Sequence, residues 1–141
     1  MRPAFTANFL SVDPFVAVAL VIVIVSIGIF DRLVGIVGFA SCGDARAPIE
    51  GLDAEIYALY VLQAHQQRGV GRQLVRECAR HFVRQGLFGF YLWVLKANRA
   101  RLFYDALGGE VIAERNERLG KHDFAEIAYG WHDLTTLVTP D

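Results

Sequence analysis

Gln66-Gln67-Arg68-Gly69-Val70-Gly71 stands between two unlike neighbours. Before it runs Glu55-Ile56-Tyr57-Ala58-Leu59-Tyr60-Val61, an apolar stretch that reads as a strand. After it, from Arg72, apolar residues recur at helical spacing. A glycine-rich turn between a strand and a helix is a phosphate cradle. Gly69 and Gly71 carry no Cβ, so a ligand oxygen can come close to the main chain. The first N–H groups of the helix have no partner inside it, and the positive end of its dipole faces the same way. The turn therefore predicts an anion site, for a group such as a pyrophosphate, built from Gln66, Gln67, Arg68, Gly69, Val70, Gly71 and Arg72. The competing reading is an ordinary turn whose glycines only relieve strain. Two other cradles are excluded by spacing. A GxxxxGK[ST] loop needs a lysine followed by Ser or Thr, and a GxGxxG loop needs a third glycine where Arg72-Gln73-Leu74 stands.

Outward from this turn the pattern is that of an α/β chain. Leu74, Val75, Cys78, Ala79, Phe82 and Val83 form one stripe of a helix over 70–84, and Arg72, Arg76, Glu77, Arg80 and Arg84 line its other face. Gly86 ends it. Residues 88–95 read as an aromatic-rich strand. Asn98 is placed to cap a helix that runs to Leu107 and stops at Gly108-Gly109. Residues 110–119 and 124–131 read as closing strands joined around Gly120-Lys121-His122, and the tail after His132 as mobile. Upstream, 33–42 and 54–62 read as strands, with 43–53 as a loop marked by Pro48 and Gly51.

Length and charge narrow the classes. At 141 residues the chain reads as one domain, 1–141, long enough for a real core. A net charge of −1 offers no polybasic surface for nucleic acid. Cys42 and Cys78 are the only cysteines; they lack metal-ligand spacing and make a poor disulfide framework, so a reducing cytoplasm is the expected compartment. His65, His81, His122 and His132 show no HxxxH or HxH pairing, and no metal site is expected. Residues 15–30 carry no charge. They are short of the roughly 20 apolar residues of a membrane span. Asp31-Arg32 is not a signal cleavage site. Their β-branched content favours a buried strand, with a membrane anchor as the alternative. Such an apolar segment, if exposed, favours self-association as a homodimer.

The turn and the strand before it resemble the acyl-CoA-binding loop of the GCN5-related N-acetyltransferases. A second block, Asn98-Arg99-Ala100-Arg101-Leu102-Phe103-Tyr104-Asp105-Ala106-Leu107-Gly108-Gly109, is similar to that family's Asn-x-x-Ala-x-x-Phe-Tyr-x-x-x-Gly-Phe helix. Its alanine sits one place early, and Gly109 replaces the phenylalanine. The resemblance covers about residues 33–131. It implies a mixed, mostly antiparallel sheet flanked by helices, with acetyl-CoA as cosubstrate and a small-molecule or peptide amine as acceptor. Family members place a strand and two helices ahead of the strand expected near Ile22, and about 30 residues cannot hold them. That implies an N-terminally altered member, one that completes its site through a partner chain, or an inactive one.

The resemblance also assigns roles. Backbone groups of Leu59, Tyr60 and Val61 would pair with the pantetheine arm, and the Val61 amide would stabilise an oxyanion. Asn98 would lie near the arm, with the helix cap as its other reading. Glu55, fourteen residues before Gly69, is the candidate base, and strand alternation puts it on one face with Tyr57, Leu59 and Val61. Tyr104 is the candidate acid for the leaving thiolate. Tyr57, Tyr60, Tyr91 and Trp93 read as core or acceptor-pocket residues. The expected activity is acetyl transfer to a primary amine by direct attack. The alternatives are a non-catalytic acyl-CoA binder with an incomplete acceptor site and a membrane-attached enzyme.

Overall fold

The computed structural model describes residues 25–31 and 35–139. The remainder of the 15–30 segment, and with it the choice between strand and anchor for residues 15–24, lies outside the described residues. In chain order the elements are β1 (Val25–Asp31), β2 (Gly35–Ile49), β3 (Leu52–Val61), α1 (Val70–Arg84), β4 (Phe90–Leu95), α2 (Arg101–Ala106), β5 (Glu110–Leu119), β6 (His122–Trp131) and α3 (Thr135–Val138). The six strands form one sheet in the order β1-β2-β3-β4-β6-β5. Only β3 and β4 run parallel; the other neighbours are antiparallel. This is the mixed, mostly antiparallel sheet that the resemblance implied. Among the described residues no helix is long and apolar enough to cross a membrane.

The helices share one face of the sheet. Leu74, Val75, Cys78, Ala79 and Phe82 of α1 enter a core with Ile56, Leu59 and Val61 of β3 and Phe90, Leu92 and Val94 of β4. The helical stripe read from the sequence is thus the buried face of α1. Close approach of α1 to the sheet depends on Gly38 of β2, where a Cβ would come 2.8 Å from the Tyr60 carbonyl oxygen and 3.0 Å from Val70 Cγ1.

Three local expectations are corrected. Residues 43–53 are not a loop: β2 continues to Ile49 and turns at Glu50-Gly51, both with positive φ. Pro48 is accommodated because β2 leaves the ladder between the pairs Asp44↔Ala54 and Ile49↔Leu52, so the missing N–H breaks no rung there. The tail after His132 is held: Leu134 and Leu137 lie in the core, and α3 packs near α1. Third, β3 does not alternate evenly. Ser41↔Ala58 and Cys42↔Ile56 leave Tyr57 as an extra residue, a bulge that reverses the faces beyond it. Ile56, Leu59 and Val61 therefore point to the helices, and Glu55 points to the other side with Tyr91.

The departure at Gly109 also has a packing cause. A Cβ there would sit 2.6 Å from Trp131 Cζ2, so the indole fills the space beside the chain at this point. Trp131 is fixed by its Nε1–H, which donates to the Leu107 carbonyl at 3.0 Å, and by stacking on Phe90 at 4.7 Å.

Two stability outcomes follow from this packing. Leu134→Ala removes a core side chain that is 2% exposed; it is expected to cost about 2–5 kcal/mol in urea unfolding, whereas a loose tail would give almost none. Gly109→Ala is expected to cost about 1–3 kcal/mol by overpacking, and clearly less in a Trp131→Phe background.

Candidate active site

β3 and β4 part almost as soon as they meet. Their only paired residues are Glu55 and Tyr91. Beyond them no rung joins 56–61 to 92–95, which leaves an unpaired opening in the ladder between two strands whose residues are themselves buried. Leu62 N–H donates to the Val37 carbonyl on the β2 side at 2.8 Å. Strand alternation then turns the amides of Leu59 and Val61 the other way, toward the opening. Tyr60, between them, stacks on Phe39 at 4.7 Å on the face away from the helices.

The Gln66–Gly71 turn lies at the end of the β3 wall. Gln66 Nε2 donates to the Val61 carbonyl at 3.2 Å, so this side chain ties the turn to the strand. Gln67 takes φ of 61° and Gly69 φ of 83°. A left-handed backbone at glutamine costs energy that the surrounding structure must offset, and such strain concentrates where the chain is shaped for a ligand. Gly69 caps α1 with no side-chain hydrogen bond. Among the described residues the amides of Gly69 and Gly71 have no acceptor. A Cβ at Gly71 would meet Phe103 Cζ at 3.1 Å, so the start of α1 packs directly on α2. Val70 is half-buried at the helix start, and Arg68 and Arg72 are exposed beside it.

Asn98 Oδ1 accepts the Ala100 N–H at 2.9 Å, just before α2. Tyr104 is fully buried on the helix side, packed on Phe103, Tyr129 and Trp131 at centroid distances of 5.2, 5.6 and 6.2 Å. Burial raises its pKa well above the ordinary phenol value, which keeps the hydroxyl protonated.

Glu55 lies on the opposite face and is 0% exposed. Its carboxylate is fully engaged. Arg46 Nη2 reaches Oε1 at 2.5 Å, the Arg46 backbone N–H donates to Oε2 at 3.1 Å, and the Tyr91 hydroxyl oxygen lies 3.2 Å from Oε2. Tyr91 donates to the Ala47 carbonyl at 2.7 Å, and the Tyr57 hydroxyl to the Asp44 carbonyl. Residues 45–48, the part of β2 that leaves the ladder, are thereby strapped across this face. Desolvation alone would lower the Arg46 pKa, but the hydrogen bond and charge of Glu55 override it and raise the guanidinium pKa. Sequence reading missed Arg46 because it fell in a stretch taken for loop. Its alternation with Asp44 along an extended segment was the available signal.

Leu59 and Val61 thus lie on the unpaired edge of β3, Gln66 ties the turn to that strand, Gly69 and Gly71 stand at the start of α1, and Tyr104 and Glu55 lie on opposite faces of the sheet. Glu55 and Tyr57 do not share a face with Leu59 and Val61, because of the bulge. Among the described residues no group of three or more His, Cys, Asp or Glu could hold a metal.

Comparison with known proteins agrees with this architecture. A family model described as FR47-like protein matches residues 34–119. An uncharacterized N-acetyltransferase, YuaI of Bacillus subtilis, is 36% identical over 109 residues, 77% of this chain; the chain spans 63% of that relative's length. Among solved structures, the ribosomal-protein-S18-alanine N-acetyltransferase of Escherichia coli superposes with a TM-score of 0.65 at 16% identity, over 89% of this chain and 79% of the other. NAA60 of Arabidopsis thaliana, solved in complex with acetyl-CoA, does so with a TM-score of 0.67 at 18% identity, over 77% and 75%. At these identities the likeness to the two structures is one of fold. The family match covers more than half of the chain, and with the split sheet and the glycine turn it leads to one assignment: the chain belongs to the FR47-like family of the GCN5-related N-acetyltransferase superfamily.

Proposed function

We propose that this protein transfers an acetyl group from acetyl-CoA to a primary amine by direct attack. The observation that carries the reading is the opening between β3 and β4, which ends at a helix start where the Gly69 and Gly71 amides have no acceptor among the described residues. In this reading the amides of residues 67–72 hold the pyrophosphate, and the β3 wall pairs with the pantetheine arm. Arg68 and Arg72 add positive charge at the rim. The NAA60 complex with acetyl-CoA, of similar fold, supports the choice of donor. Family membership and the homologue's name support acetyl transfer.

The amine approaches from the Glu55 face and attacks the thioester carbonyl. The Val61 amide donates to the developing oxyanion. Tyr104, on the helix side, gives its proton to the departing thiolate. Burial keeps that proton on the phenol; the same desolvation disfavours the free thiolate, so transfer stays accessible. Glu55 accepts the amine's proton, directly or through water, from a carboxylate oriented by Arg46 and Tyr91. The free, buried cysteines Cys42 and Cys78 suit a reducing cytoplasm.

One observation favours a second reading. The Glu55 carboxylate is already occupied by Arg46 and Tyr91, as expected of a carboxylate with a purely structural task. A non-catalytic acyl-CoA binder would have such a site. Acetyl-CoA binding by calorimetry with no turnover on a panel of amines supports that alternative. Binding with turnover supports the enzyme.

In the enzyme reading Tyr104→Phe and Glu55→Gln each lower kcat by about 10²-fold or more while acetyl-CoA still binds; unchanged turnover in both removes these roles. Arg46→Ala leaves a buried carboxylate unpaired and is expected to cost about 3–5 kcal/mol in urea unfolding, more than Glu55→Gln does.

A further inference from the structure

The face that carries Glu55 holds a second charged unit, on the far side of β4. Glu126 of β6 is 1% exposed. It accepts from Arg115 Nε of β5 at 2.7 Å, and the two residues are directly paired across the strands. The Arg115 guanidinium carbon lies 4.0 Å above the centroid of the Trp93 ring. Trp93 meets Tyr91 edge to face at 6.5 Å. It is two residues beyond Tyr91, on the part of β4 that walls the opening. The guanidinium is thus fixed on three sides: a buried carboxylate behind, an aromatic ring beneath, and its own strand.

The two arginines on this face are not equivalent. Arg46 spends Nε and Nη2 on Glu55, and its side chain is 18% exposed. Arg115 spends only Nε, on Glu126 and on Glu117 at 3.3 Å, and its side chain is 33% exposed. Both terminal nitrogens of Arg115 have no partner among the described residues. A guanidinium held by its Nε edge presents Nη1 and Nη2 to one planar ligand. Its fixed position lowers the entropy lost when a ligand docks.

We propose that Arg115 binds a carboxylate on the acceptor, so that the acceptor class is the free amino acids. This rests on the acetyltransferase reading given above and deepens it. A carboxylate fits better than a phosphate, because Glu126 and Glu117 beside the guanidinium oppose a second negative charge. Arg115 stands over Trp93 of β4, the strand that borders the opening, on the Glu55 face from which the amine approaches.

The test is calorimetry on the full chain with CoA present. The ligands are N-acetyl amino acids with small, apolar, aromatic and polar side chains, each beside its carboxamide. The acids are expected to bind at least tenfold tighter than the amides. Arg115→Gln is expected to abolish that preference, Arg115→Lys to retain part of it, and Glu117→Gln to strengthen it severalfold. The double variant Arg115→Gln/Glu126→Gln removes both charges together, guards against misfolding from an unpaired Glu126, and is expected to lose the preference as well. Equal binding of acids and amides, binding of neither, or a preference that survives in the double variant overturns the proposal. Turnover with acetyl-CoA is read separately: acid-selective binding without turnover on any amine counts against the reaction and leaves the carboxylate site standing.

Discussion

A single rung, Glu55↔Tyr91, is all that joins the ladders of the two central strands. The twist of a sheet sets neighbouring strands at an angle, and parallel neighbours connected through a helix are free to diverge once pairing stops. Here the ladder ends without exposing the core, because α1 packs beneath both strands. Glu55 sits at the vertex and is bound on the sheet's other face by Arg46 and Tyr91. The same residue pair therefore ends the ladder, anchors the strap at 45–48 and marks the floor of the opening.

The helix-side architecture was legible in the sequence because it rests on local rules. The stripe Leu74, Val75, Cys78, Ala79 and Phe82 is what a 3.6-residue period against a sheet requires, and α1 has the bounds that pattern gave. The glycine turn was legible for the same reason: φ of 83° at Gly69 is a backbone demand that a side chain would contest. The non-helical face was less legible. Its key event is an extra residue at Tyr57, and a bulge leaves no mark in a strand whose residues are apolar on both sides. Once the bulge reverses the alternation, Glu55 and Val61 separate, and a site inferred from a straight strand is divided between two faces. Arg46 was hidden because Pro48 and Gly51 advertise a loop, while the strand persists by leaving its ladder where proline stands.

One departure from the family pattern is paired with local compensation: the missing phenylalanine at Gly109 is matched by the Trp131 indole from the last strand. α2 is further held by Tyr129, whose hydroxyl donates to Asp105 at 2.8 Å. Only six residues long, this helix draws little from its own hydrogen bonds. Its position, and with it that of Tyr104, depends on aromatic side chains of β6.

The split sheet has one further consequence, for how the molecule breathes. β1–β3 and β4–β6 are two antiparallel halves, sewn together by one rung, by the Tyr91 hydroxyl's bond to Ala47 and by the helix layer. Amides at Leu59 and Val61 belong to a central strand yet face a seam rather than a neighbour. They are expected to exchange hydrogen with solvent faster than their depth in the sequence of strands suggests, and a guest lodged in the seam would slow them by acting as the missing stitch.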